Sequence, residues 1–145
     1  GTGNLCFVDM MAHVALCLLE ATPKEDDAFG KIDIHNFQLH LYCSFPSKNE
    51  AVAYALCEAL NNFCVRNNLK TFTLHPRLSK EKVNPARWNE AWIESTLLKY
   101  PAADVQRMWV CGPPVMNETF DRTLMDMRSR LDAKDLIGRF NIELL

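Results

Sequence analysis

Apolar residues along this chain change their spacing several times, from the three-and-four rhythm of a helix to the two-residue rhythm of a strand and back, and that alternation leaves few folds open. From Leu5 to Glu20 the run LCFVDMMAHVALCLLE is apolar on nearly all sides, with Asp9 and His13 four residues apart on one stripe. A helix buried on most of its surface is expected there. Residues 21–36, ATPKEDDAFGKIDIHN, are polar and acidic and are broken by Pro23 and Gly30, so they read as a long surface loop. Phe37, Leu39, Leu41 and Cys43 then alternate with Gln38, His40 and Tyr42, the period of a strand. Val52, Ala55, Leu56, Ala59, Leu60 and Phe63 return to helical spacing, with Asn49 available as the cap. Phe72, Leu74 and Leu78 suggest a second strand, which Pro76, unable to donate to a ladder, restricts to a short edge. Trp88, Trp92, Ile93, Thr96, Leu97 and Tyr100 mark a helix stopped at Pro101. Met108 to Cys111 is the uninterrupted apolar run of a strand covered on both faces. Phe120, Leu124, Met127 and Leu131 mark a last helix, and residues 140–145 a closing strand.

Alternating helices and strands imply an α/β fold with a Rossmann-like parallel sheet, right-handed crossovers and helices on both faces. At 145 residues the chain fits one domain. With 48% hydrophobic and 23% charged residues it has an ordinary globular composition, and no repeat or low-complexity segment interrupts it. A formal net charge of -2 leaves no basic field for a polynucleotide backbone, so nucleic acid is not an expected partner. The six cysteines include no CxxC pair and lie mostly in apolar runs, which favours free thiols in a reducing, cytoplasmic compartment over three disulfides. The longest apolar stretch, Val14 to Leu19, is far too short to span a bilayer.

Several sites of other kinds lack support. His13, His35, His40 and His75 show no HxxxH or HxH spacing and no cysteine pattern beside them, so no metal site is expected. Glu25, Asp26 and Asp27 read as a solvated loop tip. Trp88, Trp92 and Trp109 read as packing aromatics. No GxSxG or Walker-type run occurs, which removes the usual hydrolase and NTPase signatures.

The strongest local signal is WVCGPPVM, Trp109 to Met116, where an apolar strand stops and turns into a helix. Gly112 lets a ligand approach the backbone, Pro113 and Pro114 stiffen the turn, and a helix start offers N–H groups to an anion. In open parallel sheets ligands bind outside the carboxyl ends of the strands, which here are Ser44 to Lys48, Arg77 to Lys80 and Cys111 to Met116.

CGPPVM at the end of a late strand resembles the nicotinamide end of the ferredoxin:NADP reductase superfamily, which includes ferric reductases, NADPH oxidases and cytochrome reductases. Three further stretches fall in the family's order. Gly1-Thr2-Gly3 before an apolar helix resembles its pyrophosphate turn, LYCSFPSKNEA its second strand and adenosine loop, and FTLHPRLSKE followed by RWNEAWI its third strand and variable helix. Asn4-Leu5-Cys6 departs from it, since the family commonly has a proline soon after GTG.

The resemblance implies that Gly1, Thr2 and Gly3 line the pyrophosphate, that Ser44 and Phe45 meet the adenine ribose, and that Cys111, Gly112, Pro113, Pro114 and Met116 hold the nicotinamide. Lys48 and Arg77 are candidates for a ribose 2'-phosphate, although Ser44-Phe45 stands directly after the strand where a basic residue would favour NADPH more strongly. Cys111 is the candidate catalytic residue, positioning the ring rather than attacking it covalently. The cofactors implied are NAD(P)H on this chain and FAD on an upstream domain, with a membrane haem domain or another electron acceptor as a further partner. The location implied is the cytoplasm or the cytosolic face of a membrane protein. The family's first strand is then expected upstream of Gly1, so that the chain is part of a longer protein and inactive alone. The alternative expectation is a non-catalytic nucleotide-sensing or interaction module of the same fold.

Overall fold

In the computed structural model, which describes residues 3–19, 32–83, 88–101, 104–131 and 142–144, strand β1 (Leu39–Phe45) lies parallel to β2 (Phe72–Leu78). The register sets Leu39 against Phe72, Ser44 against Arg77 and Phe45 against Leu78. Side chains of a strand alternate between faces. One face of this pair therefore carries Leu41, Cys43, Phe45, Phe72 and Leu78, all buried, and the other carries His40, Tyr42, Ser44, Thr73, His75 and Arg77.

The ladder runs through odd-numbered residues, as shown by Leu39 N–H donating to the Thr71 carbonyl and Ser79 N–H to the Phe45 carbonyl. Even-numbered amides of β2 face away from β1. Leu74 N–H there donates to Asn61 Oδ1 at 2.9 Å, and Leu78 N–H to the Val83 carbonyl at 3.0 Å. Pro76, between them, has no N–H to leave unpaired. The proline thus sits inside a seven-residue strand instead of shortening it, because its nitrogen falls on the outer edge.

Helix α1 (Val8–Leu18) follows a 3₁₀ turn, Gly3–Phe7, and α2 (Tyr54–Arg66) follows another, Lys48–Glu50. Met11, Val14 and Leu18 of α1, Cys57, Leu60 and Cys64 of α2, and Leu41 and Phe72 of the sheet form one buried cluster. Cys43, Phe45, Tyr54 and Leu78 form a second. Three expectations are corrected here. Only one face of α1 is buried; Leu16 and Leu19 are exposed, because α1 has the core on one side only. In α2, Ala55 and Ala59 face outward, Val52 is exposed ahead of the helix, and the buried positions are Tyr54, Cys57, Leu60 and Cys64. The cysteines act as small hydrophobes and decide the face. Asn49 is not the cap: it lies within the 3₁₀ turn, and Ala53, in the left-handed region at φ 58°, is the residue from which the helix starts.

These elements belong to a compact unit, Gly1–Pro85; a second unit is Ala86–Leu145. In the second, α3 (Glu90–Leu97) begins where the Asn89 side chain accepts the Trp92 N–H at 2.9 Å. Strand β3 (Met108–Val110) leads to α4 (Pro114–Arg130) and pairs in parallel with β4 (Ile142–Leu144), Met108 against Ile142 and Val110 against Leu144. Ile93, Val110 and Phe120 are its buried centre, with Trp88, Trp92, Leu97, Met108 and Met116 packed against it. Arg122 binds Glu90 and Arg130 binds Glu94, tying α4 to α3. Strand β3 is not covered on both faces as expected. Met108 and Trp109 are half-buried, and the Trp109 indole N–H donates to the exposed Glu143 at 3.0 Å.

Among the described residues the fold is mixed α/β, with four α-helices and two small parallel sheets. The long loop expected at residues 21–36 lies mostly outside the described residues; its end, Ile32–Asn36, turns around Asp33, whose carboxylate accepts the His35 N–H at 3.1 Å and the Asn36 amide at 2.6 Å. None of the six cysteines is in a disulfide.

Candidate functional site

The turn after β3 is built by two prolines. Pro113 has φ -57° and ψ 150°, an extended conformation that ends the strand direction, and Pro114 occupies the first helical position, where its missing N–H costs nothing. The Pro113 carbonyl accepts the Met116 N–H at 2.8 Å and the Asn117 N–H at 3.3 Å, which closes the first turn of α4. Two of the N–H groups that the sequence suggested for an anion are thus engaged by the chain itself. What the turn offers instead is a half-buried Cys111 and Gly112 at the carboxyl end of a parallel strand, flanked by exposed Pro113 and Pro114.

Gly112 is a glycine for space. Its backbone lies outside the left-handed region, and a Cβ placed on it would overlap the Met116 thioether methyl and stand 2.9 Å from the Met116 sulfur. The groups in the way are the far end of a flexible side chain, which can rotate aside.

The second group of sequence-derived residues lies on the unit Gly1–Pro85. Ser44 is exposed and directly opposite Arg77 in the ladder, so both stand near the carboxyl ends of β1 and β2. Phe45 is buried in the core, which corrects its expected place at a ribose: its odd position turns it to the face packed on Tyr54 and Leu78. Lys48 is exposed and already paired. Its ammonium donates to Glu58 at 2.8 Å and lies 5.5 Å from the Tyr54 ring centroid, and its own backbone N–H donates to Glu81 at 2.8 Å. The hydrogen bond to Glu58 raises the Lys48 pKa above its ordinary value. Nearby Lys80 pairs with Glu50 at 2.7 Å, a hydrogen bond that holds the Glu50 carboxyl below its ordinary range. A ribose phosphate would have to compete with these carboxylates for either lysine. Gly3 opens the first 3₁₀ turn, and Gly1 and Thr2 lie outside the described residues.

Compared with models of protein families, with curated proteins and with solved structures, the chain gives no significant match to any of them. The site therefore rests on its own geometry. Ser44 and Arg77 are brought together by the first sheet, and Cys111, Gly112, Pro113, Pro114 and Met116 by the β3–α4 turn, each set within its own unit.

One arrangement escaped the sequence reading. His40 Nδ1 lies 3.3 Å from His75 Nε2, and the Tyr42 ring stacks on His75 with centroids 4.2 Å apart and planes 8° from parallel. Burial pushes the His40 pKa below its ordinary value. The alternation that put Leu39 and Leu41 inward also put His40 and Tyr42 on the opposite face. What a single sequence lacked was the register that brings His75 beside Tyr42.

Proposed function

We propose that the chain binds NAD(P)H and presents its nicotinamide for hydride transfer to FAD held by a separate domain, as in oxidoreductases of the ferric reductase or NADPH oxidase type. The observation that carries this reading is the Cys111–Gly112–Pro113 turn: a backbone without a side chain, at the carboxyl end of a parallel strand, leading directly into a seventeen-residue helix. The pairing of the strands supports it. Both observed strand pairs, β1–β2 and β3–β4, are parallel, as strands are in the open sheets whose carboxyl ends bind nucleotides.

The bound nucleotide would supply the hydride and the flavin would accept it; the chain's part is to hold the ring in near-attack geometry. Cys111 would line the ring position, with Gly112 giving access to the backbone and Pro113 fixing the turn. Ser44 and Arg77 would meet the adenosine end. The chain alone would then show no reductase activity, since the accepting flavin is proposed to be held by a separate domain.

The test joins the chain to a flavin domain and follows flavin reduction by NADH and NADPH in stopped flow. Cys111→Ala is expected to slow reduction about tenfold with little change in nucleotide affinity, the pattern of an interaction made mainly in the transition state. Equal rates would remove Cys111 from the chemistry. No reduction by either nucleotide with the unaltered chain would sink the reading.

A further inference from the structure

We propose that Met116 is a movable cover over Gly112, and that a nicotinamide ring reaches the Cys111–Gly112 turn only by displacing its thioether. The proposal rests on the nucleotide-binding reading above and adds to it the residue that sets how firmly the ring half of the ligand is held. Met116 sits in the first turn of α4, and a helical side chain leans toward its own N-terminus, over the turn that precedes it. Four residues back lies Gly112. The thioether end accordingly fills the space a Cβ on Gly112 would need, while the side chain as a whole is half-buried and packs against the cluster of Ile93, Val110 and Phe120.

The backbone beneath this side chain is fixed, because Met116 N–H is held by the Pro113 carbonyl at 2.8 Å. Movement is therefore confined to the side chain, which is unbranched and has three rotatable bonds. Once displaced, its sulfur remains at the edge of the ring position, where thioether and aromatic groups attract one another. Two consequences follow from the geometry. A ligand that ends at the ribose leaves the cover undisturbed, and a ligand carrying the ring binds more weakly by the fraction of molecules that are uncovered.

The experiment uses the full chain with its methionines labelled with ¹³C at the methyl carbon, and two ligands, NADH and ADP-ribose. The Met116 methyl signal is identified by its loss in Met116→Ala. NADH is expected to displace that signal, and ADP-ribose to leave it in place. Met116→Ala is expected to bind NADH about three- to tenfold more tightly than the unaltered chain, with ADP-ribose affinity unchanged. The titration itself uses the unaltered labelled chain, and Met116→Leu, which nearly keeps the volume, identifies the signal should Met116→Ala not fold. If NADH binds without moving the Met116 methyl, or if the variant binds NADH no more tightly, the cover is overturned and the nucleotide-binding reading stands. If neither ligand binds, that reading fails and the cover with it.

Discussion

In the unit Gly1–Pro85 the two strands are seven residues long and pair throughout, and the residues beneath them are sulfur-rich: the Cys57 thiol donates to the Met11 thioether at 3.2 Å inside a cluster that also holds Cys64. In the unit Ala86–Leu145 the described strands are three residues long, Ile93, Val110 and Phe120 form a buried cluster, Leu124 and Met127 are buried on α4, and exposed ion pairs bind α3 to α4. Exposed pairs add little stability and weaken further in salt. The turn proposed to hold the nicotinamide stands on the second of these units.

The largest effect expected from breaking either side of this contrast comes from the cores. Phe72, 2% exposed, is the largest of the fully buried side chains, and Phe72→Ala is expected to cost about 3–5 kcal/mol, read as a fall in the urea midpoint. Ile93→Ala should cost about 2–4 kcal/mol by the same mechanism. Amide hydrogen exchange decides whether the units act separately: Ile93→Ala should strip protection from α3 and α4 while the β1 and β2 amides keep theirs. Equal loss in both would show that the two units unfold as one.

A smaller gain is expected on the second unit. The Thr96 hydroxyl is buried with no hydrogen-bond partner among the described residues. Thr96→Val removes an unmet polar group at nearly constant volume and should stabilise the protein by about 1 kcal/mol, measured as a rise in the urea midpoint. A fall instead would mean that the hydroxyl has an acceptor.

The gentlest probe is pH. Burial lowers the folded-state pKa of His40, so the unfolded chain takes up the proton first as pH falls. The stability contributed by neutral His40 is thus complete above its ordinary titration range and is lost on descending from about pH 7 toward the lower folded pKa. His40→Gln should flatten the slope of the urea midpoint against pH over that window. An unchanged slope would assign the dependence to another group.

Much of the element order was legible because it is written locally. Pro114 opens α4, Phe120, Leu124 and Met127 repeat on one face, and residues 140–145 do contain a strand, whereas α3 ends at Leu97, ahead of the Pro101 expected to stop it. The inward face of α2 was legible in part: Leu60 is buried and Leu56 and Phe63 pack beside it, but counting large apolar residues also favours Val52 and passes over Cys57 and Cys64. The candidate turn was legible as a motif, but its covering by Met116 was not, since that depends on where a helical side chain leans after a double proline. The resemblance sets Phe45 beside a ribose, and strand parity turns its side chain to the core.

The division of the chain at Pro85 also separates its natural optical and acid-base probes. All three tryptophans, Trp88, Trp92 and Trp109, fall after it, and all four histidines fall before it. Trp88 and Trp92 stack with centroids 5.6 Å apart and planes 11° from parallel, close enough for their indole transitions to couple and produce a paired band in near-ultraviolet circular dichroism. The tryptophan part of that signal would report on Trp88, Trp92 and the edge-on contact of Trp88 with Phe120, apart from the tyrosine signal of Tyr42 on the histidine-bearing sheet. The molecule carries its own spectroscopic label on the half that holds the Cys-Gly-Pro-Pro turn.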